Sequence, residues 1–183
     1  GHESAFGEVY WFYPSSESED NNKYVVYNYL QDLWYYGDLS RTAWLARAAF
    51  SSPIAASKDN YLYLQETGIT DGDFEPAQAL GAFIESSPID IGDGDNFMFV
   101  TRMLPDIAFP RSIGVSAPSV TMTLKMQNFS GGAYVGSNNR SVVQTATVPV
   151  EQFTEQVYLR LRGRSVSLRV DSECDCTAWR LGT

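Results

Sequence analysis

Side chains that could do acid–base chemistry are few and scattered along this 183-residue chain. Its one histidine, His2, lies at the second position, with no nearby residue that would form a nucleophile–base pair with it. Sixteen Asp and Glu residues lie within the first hundred positions, but no spacing singles out two that could cleave a glycosidic bond. We therefore predict that the chain is not an enzyme and needs no cofactor.

Two acidic, glycine-rich segments offer the oxygen ligands that Ca²⁺ prefers. Their candidate ligands are Asp71 and Asp73 in one segment and Asp93 and Asp95 in the other. Neither segment has the spacing of an EF-hand loop, and acidic Gly-rich segments also fill β-turns, so both interpretations stay open. Cys174 and Cys176 are too close for an easy disulfide in an extended strand, and two thiols alone do not complete a zinc site.

A set of arginines near the end of the chain is a candidate for binding. Arg160, Arg162 and Arg169 share one face of a predicted hairpin, and Arg164 lies at its tip. Such a stripe suits phosphate or the carboxylates of a neighbouring subunit, although charge on a strand face also serves solubility. We predict a subunit contact, because the acidic first part of the chain offers a complementary surface in an adjacent copy.

A second candidate set is aromatic. Trp11, Trp34 and Tyr36 could stack on sugar rings, but residues of this kind also fill the cores of β-sheet proteins. We expect these rings in the core, with glycan stacking as the alternative.

Composition and charge exclude further classes of protein. The chain is 44% hydrophobic and 14% aromatic, which is typical of a folded protein. Residues 1–100 hold four Lys or Arg and 16 Asp or Glu, a net charge of −12, whereas residues 101–183 hold nine and six, a net charge of +3. An acidic surface does not grip nucleic acid, because phosphate binding needs clustered cations. No apolar run approaches the ~20 residues of a membrane span, so we predict no membrane partner.

Short strands and tight turns dominate the first third of the chain. Residues 24–29 and 33–39 are rich in Tyr, Val and Trp and flank a turn at Gln31 and Asp32. Residues 53–57 and 60–64 flank Lys58 and Asp59 in the same way. We predict that residues 1–67 form β-hairpins like those of propeller blades.

Residues 67–78 lack periodicity, which indicates a domain boundary and a second domain over 68–183. Apolar and polar residues alternate over 120–126, typical of a strand with one buried face. The same alternation over 157–161 and 166–170, around Gly163 and Arg164, predicts a hairpin. We predict an all-β protein in which partial, propeller-like hairpins precede an antiparallel β-sandwich.

Nine segments occur in the same order as in virion proteins of short-tailed phages. They are 6–14 (FGEVYWFYP), 24–30 (YVVYNYL), 41–44 (RTAW), 53–56 (PIAA), 84–87 (IESS), 90–95 (DIGDGD), 97–100 (FMFV), 149–156 (PVEQFTEQ) and 159–163 (LRLRG). On these segments the chain resembles the tail nozzle family, also called tail tubular protein B or packaged-DNA stabilisation protein. Chains of that family are several times longer, so we expect this one to be an internal fragment.

The resemblance implies a β-propeller joined to β-sandwich parts, without catalytic residues. It also implies a homo-oligomeric ring, a hexamer, that is made in the host cytoplasm and resides in the virion tail. Its partners would be the portal, the adaptor, other tail proteins and DNA that passes without sequence specificity. We predict a structural protein that retains packaged DNA and conducts it during ejection, with a carbohydrate-binding β-module for host attachment as the alternative.

Overall fold

The computed structural model describes residues 1–3, 5–47, 50–68, 70–71, 78–110, 112, 117–129, 142–172 and 177–182. These residues form eighteen β-strands in several antiparallel sheets, and none of them is helical. The predicted all-β class is therefore confirmed. The chain divides into two compact units, Gly1–Gly68 and Ile69–Thr183.

Unit 1 begins with a four-stranded antiparallel meander. Its strands, in sheet order, are β1 (His2–Glu3), β2 (Glu8–Tyr13), β3 (Lys23–Asn28) and β4 (Leu33–Asp38). The predicted hairpin over 24–39 is confirmed, with Tyr27 opposite Trp34. Asn28 organises its turn, because its side-chain oxygen accepts hydrogen bonds from the backbone N–H groups of Leu30 (3.1 Å) and Gln31 (3.0 Å).

A three-stranded sheet completes unit 1. It consists of β5 (Ala43–Leu45), β6 (Ile54–Ala56) and β7 (Leu62–Leu64), and the β6–β7 pair confirms the second predicted hairpin. Val26 of β3 and Ala55 of β6 are almost fully buried. Trp44 of β5 lies against the meander, with its ring centroid 5.2 Å from that of Tyr10 and 5.6 Å from that of Phe12.

Unit 2 contains the remaining strands. They are β8 (Thr70–Asp71), β9 (Gln78–Ala79), β10 (Ala82–Glu85), β11 (Ile89–Asp90), β12 (Met98–Met103), β13 (Ile107–Ala108), β14 (Ser119–Gln127), β15 (Val142–Glu151), β16 (Val157–Gly163), β17 (Ser165–Ser172) and β18 (Arg180–Leu181). The largest sheet has the order β10-β17-β14-β15, with β11 also paired to β17. Three two-stranded sheets, β12–β16, β13–β18 and β8–β9, make up the rest.

The core of unit 2 lies between the β12–β16 pair and the five-stranded sheet. Met122 and Met126 of β14 are almost completely buried, which confirms the predicted one-sided alternation of this strand. Leu159 and Leu161 of β16 pack with Leu124 and Met126 in one apolar cluster. Full burial of each such side chain contributes roughly 1.5–3 kcal/mol, so this cluster fixes β16 on the sheet.

The predicted hairpin over 157–170 is wrong in its pairing, although both of its strands exist. Strand β16 pairs with β12, whereas β17 pairs with β10, β11 and β14 in the other sheet. The chain crosses between the sheets at Gly163 and Arg164. A Cβ atom at Gly163 would lie 2.9 Å from the carbonyl oxygen of Gln127, and the Arg164 N–H donates to that oxygen at 2.7 Å. Residue 163 therefore has to be glycine for steric reasons.

Candidate interaction surfaces

One side of the four-stranded sheet in unit 1 forms a surface that we call the aromatic face. Alternation and register place five rings on it, those of Trp11, Tyr13, Tyr27, Trp34 and Tyr36. Trp34 stacks on Tyr27 at 4.6 Å and on Trp11 at 5.8 Å between ring centroids. The exposed fractions are 47% for Trp11, 63% for Trp34 and 82% for Tyr36.

The expectation that Trp11, Trp34 and Tyr36 lie in the core is therefore wrong. Alternate residues of a strand point to opposite faces, and Trp44 covers only the face that carries Tyr10 and Phe12. The structure thus brings the three predicted residues together, but on the exposed face of the sheet.

The opposite face of the same sheet, which carries Tyr10 and Phe12, contains a partly buried polar contact. Glu8 accepts hydrogen bonds from the hydroxyl groups of Tyr10 (2.6 Å) and Tyr35 (2.5 Å). Burial, followed by the hydrogen bond to Glu8, raises the pKa of both Tyr10 and Tyr35 above the ordinary tyrosine range. Both phenols therefore remain neutral donors, and the bond from Tyr35 links β4 to β2.

Arg169 does not belong with the other arginines. It lies on β17, where its guanidinium contacts Asp171 at 2.6 Å and Glu85 at 3.3 Å and sits 4.0 Å from the ring centroid of Phe83. Lys125 also contacts Glu85, at 2.8 Å. The hydrogen bond to Asp171 and, to a smaller extent, the hydrogen bond to Glu85 raise the pKa of Arg169. The prediction that Arg169 shares a face with Arg160 and Arg162 is wrong, because β16 and β17 lie in different sheets.

The outer side of the β12–β16 pair forms a second surface, which we call the arginine face. It consists of Phe99, Arg102, Tyr158, Arg160 and Arg162, all of them exposed. Phe99 lies opposite Arg162 and Arg102 lies opposite Tyr158. A register shift between Val100 and Arg102 brings Arg102 to this side, where strict alternation would have turned it inward.

Phe97 stiffens one end of the arginine face. The guanidinium carbon of Arg162 lies 4.3 Å from its ring centroid, and that of Arg164 lies 5.2 Å away. Within the described part of the chain, none of Arg102, Arg160 and Arg162 has a carboxylate oxygen within 4.0 Å. Three exposed guanidinium groups beside aromatic rings thus have their hydrogen-bond donors available.

The sequence alone did not identify several of these residues. Phe97, Phe99 and Tyr158 belong to alternating runs, so strand alternation could have placed them beside Arg160 and Arg162 once the pairing was known. No local signal marks Arg102, because only the register shift brings it to the face. Glu85 and Lys125 are distant in sequence from Arg169, so nothing in the sequence indicated their contact.

The predicted ion ligands receive no further support. Asp93 and Asp95 lie in the turn after β11, in which Gly92, Asp93 and Gly94 have positive φ angles. Among the described residues, no three His, Cys, Asp or Glu side chains are grouped so that they could hold a metal ion. Asp73, the side chain of Asp71, and both cysteines lie outside the described residues.

His2 has a neighbour after all, since its ring stacks on that of Tyr29 with 6.3 Å between centroids. No helix that is long and apolar enough to cross a membrane occurs in the part of the chain that the structure describes.

Comparison with protein-family models and with curated proteins finds no match to this chain.

Proposed function

We propose that the chain is a virion structural protein of a short-tailed phage. It forms part of a ring-shaped tail nozzle that retains packaged DNA and conducts it during ejection. The ordered set of segments that resemble this family, over essentially the whole sequence, suggests the proposal.

The observation that carries the proposal is the four-stranded sheet with large aromatic side chains on both faces. A sheet of this kind is expected between two other layers, because each apolar face gains free energy when it is buried. Trp44 covers one face, and the aromatic face is exposed. Four-stranded antiparallel sheets are the blades of β-propellers, in which each blade packs between two neighbours.

The edge strand of this sheet also supports the proposal. Strand β4 has a single partner, β3, among the described strands. Its large side chains are exposed on both sides, and they are Leu33, Trp34, Tyr35 and Tyr36. A long, apolar edge strand aggregates unless another polypeptide covers it, so it is typical of a protein that functions in an assembly.

In unit 2, the packing of the β12–β16 pair on the five-stranded sheet supports the β-sandwich part of the proposal. The faces in that core are built from Met, Leu and Val side chains, and the described residues contain no cluster of titratable groups there. This core serves as a scaffold for the outer surface of β12 and β16.

Gold-labelled antibodies against the chain, applied to purified virions of the phage that encodes it, test the proposal. We expect label at the distal end of the tail in electron micrographs. Absence of the chain from purified virions, or label on the capsid alone, would contradict the proposal. An antiserum against the major capsid protein provides the control for accessibility.

A carbohydrate-binding module is the second candidate, and the exposed rings of Trp11, Trp34 and Tyr36 favour it. Each ring stacked on a sugar would supply apolar and CH–π contact on a flat platform. A glycan array followed by calorimetry tests this function. It predicts binding that is lost in Trp34→Ala and retained in Tyr61→Ala, which removes an exposed ring of the same unit outside the aromatic face. No binding to host surface glycans contradicts it.

A further inference from the structure

The arginine face carries an unbalanced local charge. Arg102, Arg160 and Arg162 are exposed on one side of two paired strands, and none of them contacts a carboxylate among the described residues. By contrast, Arg169 of the same unit is held by Glu85 and Asp171. Guanidinium groups beside Phe and Tyr rings are the composition that protein interfaces concentrate at their centres.

A matching surface lies on the connection between β2 and β3, which we call the acidic tip. Its exposed carboxylates are those of Glu17, Glu19 and Asp20. None of them has a cation within 4.0 Å in the part of the chain that the structure describes. The acidic tip and the arginine face thus offer three charges each, of opposite sign.

Hydrogen bonds hold the acidic tip in a defined shape. The Asn22 side-chain oxygen accepts from the Ser15 N–H at 2.8 Å, and the Asn22 amide donates to the Ser15 hydroxyl at 3.0 Å. The Ser18 N–H donates to the Ser15 carbonyl at 3.2 Å. A tip that is already ordered loses little conformational entropy when it binds.

We propose that the acidic tip of one copy of this chain docks on the arginine face of a second copy. Each Arg fork accepts a carboxylate in a bidentate arrangement, and Phe99 and Tyr158 supply the apolar contact around the pairs. The contact joins two different surfaces, so when it is repeated from copy to copy it is heterologous and generates a ring or a filament. This docking proposal specifies the contact between copies in the ring described under the proposed function, so it rests on that function.

Charge favours this occupant over nucleic acid. The cations of the face are three arginines without a lysine, and the chain as a whole carries −9, which repels a polyanion. Three phosphate contacts give only a weak hold that falls steeply with salt. A fixed contact between proteins uses the same three guanidinium groups with defined geometry.

Charge reversal with complementation tests the proposal. Arg160→Glu with Arg162→Glu makes the face acidic, and Glu17→Lys with Glu19→Lys makes the tip basic. In sedimentation experiments we expect the wild-type chain to self-associate, and each variant alone to associate at least about tenfold more weakly, since close interfacial charge pairs carry substantial coupling energy. An equimolar mixture of the two variants should regain association, because each tip then meets a face of opposite charge.

The control variant, Lys58→Glu with Arg180→Glu, makes the same change in net charge at two exposed cations that belong to neither the arginine face nor the acidic tip, and it should associate like the wild type. Thermal melts check folding, and Arg160→Gln with Arg162→Gln replaces the reversal if it does not melt cooperatively.

Three results would overturn the proposal. They are a wild-type chain that is monomeric at every concentration, a mixture that does not regain association, and binding of a single-stranded oligonucleotide that is lost in the arginine variant alone. Gold labelling of virions is independent of these results, so failure of this contact and failure of the proposed function are distinguishable.

Discussion

The aromatic face of unit 1 and the arginine face of unit 2 are both exposed sheet surfaces, but different forces would hold a partner on each. The aromatic face is mainly uncharged, so its association would follow the area buried and change little with salt. The arginine face depends on charge pairs, whose attraction is screened over about 10 Å at 0.1 M salt. The two units therefore differ in the condition that would release a partner.

Net charge does not explain this difference. Residues 1–68 hold four cations and nine anions, a net of −5, and residues 69–183 hold nine and 13, a net of −4. The contrast between residues 1–100 and 101–183 disappears when the charges are counted by unit, because seven carboxylates of residues 69–100 belong to unit 2. The arginine face is a local feature of two strands within an acidic unit.

Met126→Ala should have the largest effect on stability, and that effect should be confined to unit 2. Met126 is fully buried in the cluster that holds β16, so truncation leaves a cavity and costs about 2–5 kcal/mol. Hydrogen exchange measured by mass spectrometry should show faster exchange in peptides of unit 2, with unit 1 unchanged. Equal protection of β14 in variant and wild type would show that the cluster does not hold this layer.

Glu85→Gln should have the next largest effect. The substitution leaves Lys125 and Arg169, both mostly buried, without their shared carboxylate, and we expect a loss of about 1–2 kcal/mol in the free energy of unfolding. Chemical denaturation measures this loss. Glu155→Gln, at an exposed carboxylate of the same unit, is the matched control and should lie within about 0.5 kcal/mol of wild type. A similar loss in both variants would assign no special role to Glu85.

Trp34→Ala tests whether the aromatic face of unit 1 contributes to the stability of the fold. Most of this ring is exposed, so its loss should change the free energy of unfolding by less than about 1 kcal/mol. Val26→Ala, at a fully buried position of the same sheet, should cost more, about 1–3 kcal/mol. Denaturation of the two variants in parallel makes the measurement. A larger loss for Trp34→Ala would mean that the aromatic face supports the fold rather than a partner.

Glu66 gives the smallest effect, a pH dependence confined to unit 1. Although Glu66 is exposed, partial desolvation, followed by the charges of Glu8 and Glu3, raises its pKa above the ordinary 4.5, while Arg47 lowers it. The folded state therefore retains a proton that the unfolded state releases, and stability declines as the pH rises from 4.5 through the raised pKa. Glu66→Gln should remove this decline in thermal melts followed across that range. Parallel pH profiles for variant and wild type would assign the decline to other groups.

Local turn chemistry and strand alternation carried the predictions that are confirmed. The hairpins of unit 1 follow from turns such as the one that Asn28 organises, and the buried side of β14 follows from its apolar alternation. The sequence could not show which aromatic side of the meander is covered, because both carry large rings. That outcome depends on where Trp44 lies in the fold.

Long-range pairing explains the predictions that are wrong. A short Gly-containing link between two alternating runs is typical of a hairpin, yet the link at Gly163 and Arg164 joins two sheets. The partners of β16 and β17 lie earlier in the chain, so their pairing with those distant strands replaces the hairpin. For this reason, Arg169 lies in a different sheet from Arg160 and Arg162.

The crossing at Gly163 and Arg164 also has a consequence for how unit 2 folds. Strands β10 and β12 have to wait for their only partners among the described strands, β17 and β16, which come last among the long strands, whereas the meander of unit 1 pairs sequential neighbours. Formation of the meander therefore requires only short loops to close, and the layers of unit 2 require long ones. Because a single residue separates β16 from β17, the two layers should assemble in one cooperative step. During synthesis, unit 1 can fold while most of unit 2 still lacks its central strand.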